Sequence, residues 1–171
     1  MRRLGPAVLL PSLLMACESG RAPSGGEYAG SVTPHPPRPP APPIFVRGPS
    51  NNKPITPFIA TAVADAQRGH YPVLVYVGAT WCEPCQRFHA AALAGELDSI
   101  FVGAHLVEFD LDDDKATLDK AGYSSTLIPL FCVPKPDGTA SNRRIEGSIK
   151  GPEAVNQNLV PRLRALLEES R

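Results

Sequence analysis

The chain has 171 residues, too few for two large domains, and 20 of them are proline, far more than one compact domain accommodates. Lysine and arginine number 17 and aspartate and glutamate also 17, so no basic field is present to hold nucleic acid. Where the prolines fall says where the folded domain is not.

Met1 to Ala16 reads as an export signal. Arg2 and Arg3 give a positive start, and Leu4 to Met15 is apolar but interrupted by Pro6 and Pro11. That run falls short of the roughly 20 apolar residues needed to span a bilayer. Leu14-Met15-Ala16-Cys17 resembles a bacterial lipobox. The resemblance implies cleavage before Cys17 and acylation of that cysteine, which would anchor the chain to a membrane. The alternative is an ordinary signal peptide followed by an incidental cysteine. Glu18 after the cysteine leans, by resemblance to lipoproteins of two-membrane bacteria, towards the outer membrane. Loss of Arg2 and Arg3 leaves the mature chain slightly acidic. The expected location is the periplasmic or extracytoplasmic face of the cell envelope, where cysteines can persist as disulfides.

Residues 17 to 54 read as an acylated cysteine followed by a linker. Ten of the 37 residues from 18 to 54 are proline, densest between Pro34 and Pro43. Such a run favours extended polyproline II and could reach on the order of 115 Å. A spacer that lifts a domain off a membrane is the preferred reading, and a ligand for a proline-binding module is the other.

The folded domain is expected over residues 55 to 171. Thr56 and Pro57 suit an N-cap and a first helical position, and Phe58, Ile59, Ala62, Val63 and Ala66 form an apolar stripe ending at Gly69. Pro72 to Ala79 is apolar almost throughout, as in a strand covered on both faces. A helix with a break at Gly95 follows, then a strand from Val102 to Asp110. A short helix spans Asp113 to Ala121, with Gly122 behind it as a C-cap. Pro129 to Val133 reads as a strand, Lys135-Pro136-Asp137-Gly138 as a turn, and Arg143 to Ser148 as the returning antiparallel strand. A last helix starts at Pro152 and should bend at Pro161. This order predicts an α/β domain, a central mixed sheet with helices on both faces.

Trp81-Cys82-Glu83-Pro84-Cys85 opens the helix after the first of these strands. Two thiols three positions apart at a helix start suit redox chemistry, because the unpaired N–H groups there favour a thiolate over a thiol. Zinc would need a second ligand pair. Cys132 stands alone, and His35, His70, His89 and His105 fall at no zinc-like spacing. A purely structural disulfide is the remaining alternative, and the redox dithiol is preferred over both.

This motif, its preceding strand and Ile128-Pro129, with Pro129 placed 47 residues after Cys82, resemble the thioredoxin superfamily over roughly residues 55 to 171. The resemblance implies a thioredoxin-like fold with a cis peptide bond before Pro129. It implies Cys82 as attacking thiolate and Cys85 as resolving thiol. Ile128 and Pro129 would form the edge that pairs with a substrate chain, and Trp81 would cover one side of the site. Protein disulfides would be the substrates, a membrane thiol reductase the electron donor, and no cofactor or metal would be required. Cys132 reads as a buried small hydrophobe, with a regulatory thiol as its other reading.

The chain departs from thioredoxin in three places. Tyr76 stands where the family has a buried acid six residues before the first cysteine, Gln86 stands where a lysine often follows the motif, and Glu83 adds a negative charge between the thiols. That charge should oppose thiolate formation at Cys82 and make the couple more reducing. The W-C-E-P-C pentapeptide also occurs in extracytoplasmic reductases serving cytochrome c assembly. Those carry an insertion before the cis-proline for which 47 residues leave little room. The domain therefore looks closer to compact thioredoxins and to the soluble C-terminal domain of membrane thiol reductases. Glu108 is flanked by Val107 and Phe109. Counting back from Asp112, matched to the acid ending the family's equivalent strand, places it near Tyr76 as a substitute proton acceptor. Its other reading is a strand residue facing solvent or pairing with a lysine. The function expected is a membrane-tethered thiol–disulfide oxidoreductase acting as a reductant. The alternative is a binding or scaffolding lipoprotein with little turnover.

Overall fold

The structure is a computed structural model and describes residues 39–50 and 53–168. Cys17, the signal segment and most of the proline-rich stretch lie outside the described residues. Five strands form one mixed sheet in the order β1-β3-β2-β4-β5. They are β1 (Ile44–Arg47), β2 (Val73–Gly78), β3 (His105–Asp110), β4 (Leu130–Pro134) and β5 (Ala140–Glu146). The first three are mutually parallel, and β4 runs antiparallel to both β2 and β5.

Strand β1 corrects the expected boundary at residue 55. Ile44-Phe45-Val46-Arg47 pairs in parallel with His105 to Glu108 and forms one edge of the sheet. Pro42, Pro43 and Pro49 flank it but do not enter it, and proline is tolerated beside an edge strand. The prolines hide a short run of three strand-forming residues.

The strands alternate their side chains between two apolar layers. On one face Leu74, Tyr76, Leu106 and Phe131 meet α2 (Glu83–Leu93), α3 (Asp98–Phe101) and α5 (Val160–Glu168). On the other, Val75, Val77, Val107, Phe109, Leu130 and Cys132 meet α1 (Thr56–Gly69) through Ile59 and Val63, and α4 (Leu111–Lys120) through Leu118. Helices therefore cover both faces, as the element order predicts.

Several ends differ from expectation for local reasons. Ile55, not Thr56, caps α1; it is buried and makes no side-chain capping bond, while Pro57 occupies the first turn. Gly95 (φ 77°) separates α2 from α3. Val102 and Gly103 do not start β3: Val102 is left-handed (φ 48°) and caps α3, its N–H donating to Asp98 O. Helix α4 starts at Leu111 because the Asp110 carboxylate accepts the Asp112 N–H at 2.8 Å. Strand β5 begins at Ala140, earlier than Arg143. Gly138 (φ 81°) turns the β4–β5 hairpin against α1, where an added Cβ would lie 2.1 Å from the Thr56 carbonyl oxygen. Glycine is required there on both counts.

The last helix begins as a 3-10 turn at Pro152–Ala154 and passes through a π turn at Val155–Leu159 before becoming α5. Pro161 lacks an N–H and its ring would press on the carbonyl four residues back in a regular α-helix. The π turn ahead of it, with Val160 N–H bonded to Val155 O, stands where a bend at Pro161 is expected and makes room for that ring.

Candidate active site

Strand β2 ends at Gly78, and Ala79, Thr80 and Trp81 carry the chain to the start of α2. Cys82 is the N-cap, with extended backbone (φ −80°, ψ 104°), and its sulfur accepts the Cys85 N–H at 3.3 Å. Pro84 occupies the first turn, where its missing N–H is not needed. The sulfurs of Cys82 and Cys85 are bonded at 2.13 Å. Both residues are nearly buried in this disulfide, 4% and 2% exposed.

A small apolar cluster of Ala79, Cys82 and Cys85 packs against Leu111 and Ile128. The Ile128–Pro129 peptide bond is cis. Pro129 uses its carbonyl to accept the Gly147 N–H at 2.9 Å. Among the described residues, no hydrogen bond occupies the N–H or carbonyl of Ile128. Ser125 braces this loop: its hydroxyl accepts the Leu127 N–H and reaches Glu146 Oε2 at 2.9 Å. A shallow groove beside Ile128 is lined by Leu127, Ile128 and Ile149 on one part and by polar groups including Glu146, Asn158 and Arg162 on another.

Trp81 is 64% exposed, and its indole N–H donates to Asp112 Oδ2 at 2.7 Å. Spacing alone carries no signal for that partner, 31 residues away. The bond fixes the ring between the cysteine turn and the start of α4. Leu127 (59% exposed) and Ile149 (48%) line the groove beside Ile128, which packs on the buried sulfurs.

Glu83 does not act as a bare charge. Its carboxylate accepts Arg87 Nε at 2.6 Å and Gly151 N–H at 3.2 Å. The Arg87 hydrogen bond foremost, with Gly151, Arg87 and Lys150 adding to it, holds its pKa below the ordinary glutamate value. It is ionised but paired, which weakens the expectation that it opposes a thiolate on Cys82. The Gly151 bond also ties the Ile149 loop to the first turn of α2.

Glu108 lies in register with Tyr76 across the β3–β2 pair, where counting placed it. Its partner is neither solvent alone nor a lysine. Glu108 Oε1 sits 2.9 Å from His89 Nε2, on α2. Sequence reasoning missed His89, although its place four residues after Cys85 on one helix was a usable signal. Tyr76 is buried at the centre of the sheet beside Glu108, and its pKa is raised, first by burial and then by the Glu108 and Asp110 carboxylates. Gly78 leaves it room, since a Cβ there would lie 2.6 Å from the Tyr76 hydroxyl.

Cys132 is fully buried on the opposite sheet face, with burial pushing its thiol up from the ordinary cysteine value. Among the described residues, no group of three or more histidine, cysteine or acidic side chains could hold a metal ion.

No family model matches the chain, and no curated protein matches it. Solved structures do. Oxidised thioredoxin O1 from Arabidopsis thaliana aligns over 75% of this chain and 97% of its own, at 19% identity and a TM-score of 0.44. A thioredoxin from Trichomonas vaginalis aligns over 75% and 96%, at 21% identity and a TM-score of 0.43. Poplar thioredoxin h, PtTrxh4, aligns over 75% and 98%, at 19% identity and a TM-score of 0.43. By its own strand order, its cysteine pair at the start of α2 and the cis-proline beside that pair, the described domain has a thioredoxin-like fold.

Proposed function

We propose that the protein is a thiol–disulfide oxidoreductase that reduces protein disulfides from a membrane-tethered position. The observation that carries this reading is the Cys82–Cys85 disulfide at a helix start, packed against Ile128 beside a cis-proline. Cys82 is the attacking group. As a thiolate it keeps the Cys85 N–H and gains the favourable end of the α2 dipole. Cys85 resolves the mixed disulfide. The unoccupied backbone groups of Ile128 suit a substrate chain added as a strand, and the exposed Leu127 and Ile149 of the adjoining groove suit apolar residues flanking its cysteine.

Reduction is favoured over strong oxidation because the thiolate has few stabilising partners. Among the described residues, the one hydrogen bond to Cys82 Sγ comes from a backbone N–H. A weakly stabilised thiolate means a weakly stabilised reduced form, hence a lower potential. A membrane thiol reductase is the class of donor this requires.

Insulin reduction by the full chain with dithiothreitol tests the activity. Precipitation of the insulin chains is expected to begin well before the dithiothreitol control, and a time course matching the control would favour the scaffolding alternative. The tether rests on Cys17 and the apolar segment ahead of it. Cys17→Ser is expected to move the protein from the membrane to the soluble fraction or to block its maturation. An unaltered chain found wholly soluble would end the lipoprotein reading. Among the described residues no helix is long and apolar enough to cross a membrane.

A further inference from the structure

Resolution of the mixed disulfide requires Cys85 to lose a proton while buried. Tyr76 cannot take it near neutral pH: its hydroxyl is buried, has no hydrogen-bond partner among the described residues, and has a raised pKa. Helix α2 supplies another group. Cys85 and His89 are four residues apart on it, hence neighbours on one side with Cβ atoms about 6 Å apart.

The His89 ring is firmly placed. It stacks on Phe45 at 4.6 Å between centroids and meets Tyr76 at 5.4 Å and Phe88 at 5.9 Å, both edge-on. Its Nε2 lies 2.9 Å from Glu108 Oε1, and the side chains of the two are 35% and 24% exposed. Other charges nearby are engaged elsewhere. Arg47, level with Glu108 on β1, points to Asp114 and Asp113 at 3.7 and 4.0 Å, and the Asp110 side chain caps α4.

We propose that His89, oriented by Glu108, accepts the Cys85 proton during resolution, in place of an acid beneath the thiols. The inference rests on the exchange reading above and deepens it. With Nε2 beside the Glu108 carboxylate, which favours the proton on that nitrogen, Nδ1 keeps a lone pair for the Cys85 proton, received across one water. The Cys85 thiolate then attacks Cys82 Sγ. The bond between Cys82 and the substrate sulfur breaks, the Cys82–Cys85 bond forms, and the electron pair leaves on the substrate sulfur. That sulfur is then protonated from the imidazolium. Two electrons pass from the dithiol to the substrate disulfide, and His89 returns to its neutral form. Glu108 is a positioning residue, offsetting the charge the imidazole acquires.

The test uses the full chain carrying Cys17→Ser, reduced and mixed with stoichiometric 5,5′-dithiobis(2-nitrobenzoate). Attack by Cys82 releases the first nitrothiobenzoate in a concentration-dependent phase. Attack by Cys85 releases the second in a unimolecular one. In His89→Ala the first phase should stay within twofold of the parent. The second should slow at least fivefold, a threshold set well below the roughly hundredfold or greater effect typical of a lost general base, and added imidazole should restore most of it. Glu108→Gln should slow the second phase only. A second phase slowed less than fivefold in His89→Ala, both phases slowed together, or no recovery with imidazole would overturn the assignment. Absence of the first phase in the parent would instead sink the exchange reading itself, and this inference with it.

Discussion

Replacing Cys85 by serine is expected to arrest the protein as a mixed disulfide through Cys82 and to cut insulin-reducing turnover on the order of a hundredfold or more. Cys82 at the N-cap retains its N–H donor and helix start, so the attacking step survives. The step that fails is release, since the sulfur bonded to Cys82 in the structure is gone. No other described cysteine can replace it: Cys132 is fully buried among the α1 and α4 residues, across the sheet from α2. Cys82→Ser should abolish both capture and turnover. Non-reducing electrophoresis and mass mapping of the captured species check the pair of results. Capture through Cys132, or turnover retained in Cys85→Ser, would refute the assigned roles.

Phe88→Ala is expected to destabilise the domain by roughly 3–5 kcal/mol, the usual cost of emptying a buried aromatic site. Phe88 is fully buried and lies between α2 and the sheet, its ring 4.8 Å from that of Phe131, 5.3 Å from Tyr76 and 5.9 Å from Phe101. No single neighbour can fill the space, because each ring is held by a different element. The same side chain seats the helix that begins at Cys82, so slower exchange should accompany the lower stability. Urea unfolding of the full chain measures the effect as a fall in midpoint with the slope retained. A loss below about 1 kcal/mol would mean that the α2–sheet layer repacks, contrary to the structure.

The parts legible in the sequence share one property: their signal is local. Hydrophobic runs reveal β2 and β4, and Trp81 to Cys85 reveals the cysteine turn. The place of Glu108 opposite Tyr76 follows from counting along one strand. What was not legible depends on packing between distant segments. The Trp81–Asp112 and Glu83–Gly151 bonds join loops whose approach no periodicity encodes. The His89–Glu108 pair needs the helix and the strand to be laid on each other first. Strand β1 escaped notice because its four residues, set between prolines, carry too short a pattern, and only the edge of β3 gives them a partner. The start of β3 was misplaced because Val102 closes a helix in the left-handed conformation, which β-branched residues rarely adopt.

The central claim is that Cys82 and Cys85 cycle as one reducing dithiol, and their reduction potential tests it most directly. The full chain would be equilibrated in dithiothreitol buffers of graded potential, quenched, and its Cys82 and Cys85 thiols counted by alkylation and mass mapping. A single two-electron transition at or below about −230 mV is predicted, on the thioredoxin side of the known scale. A transition above about −180 mV, among disulfide-forming proteins, or no reversible transition at this pair, would contradict it.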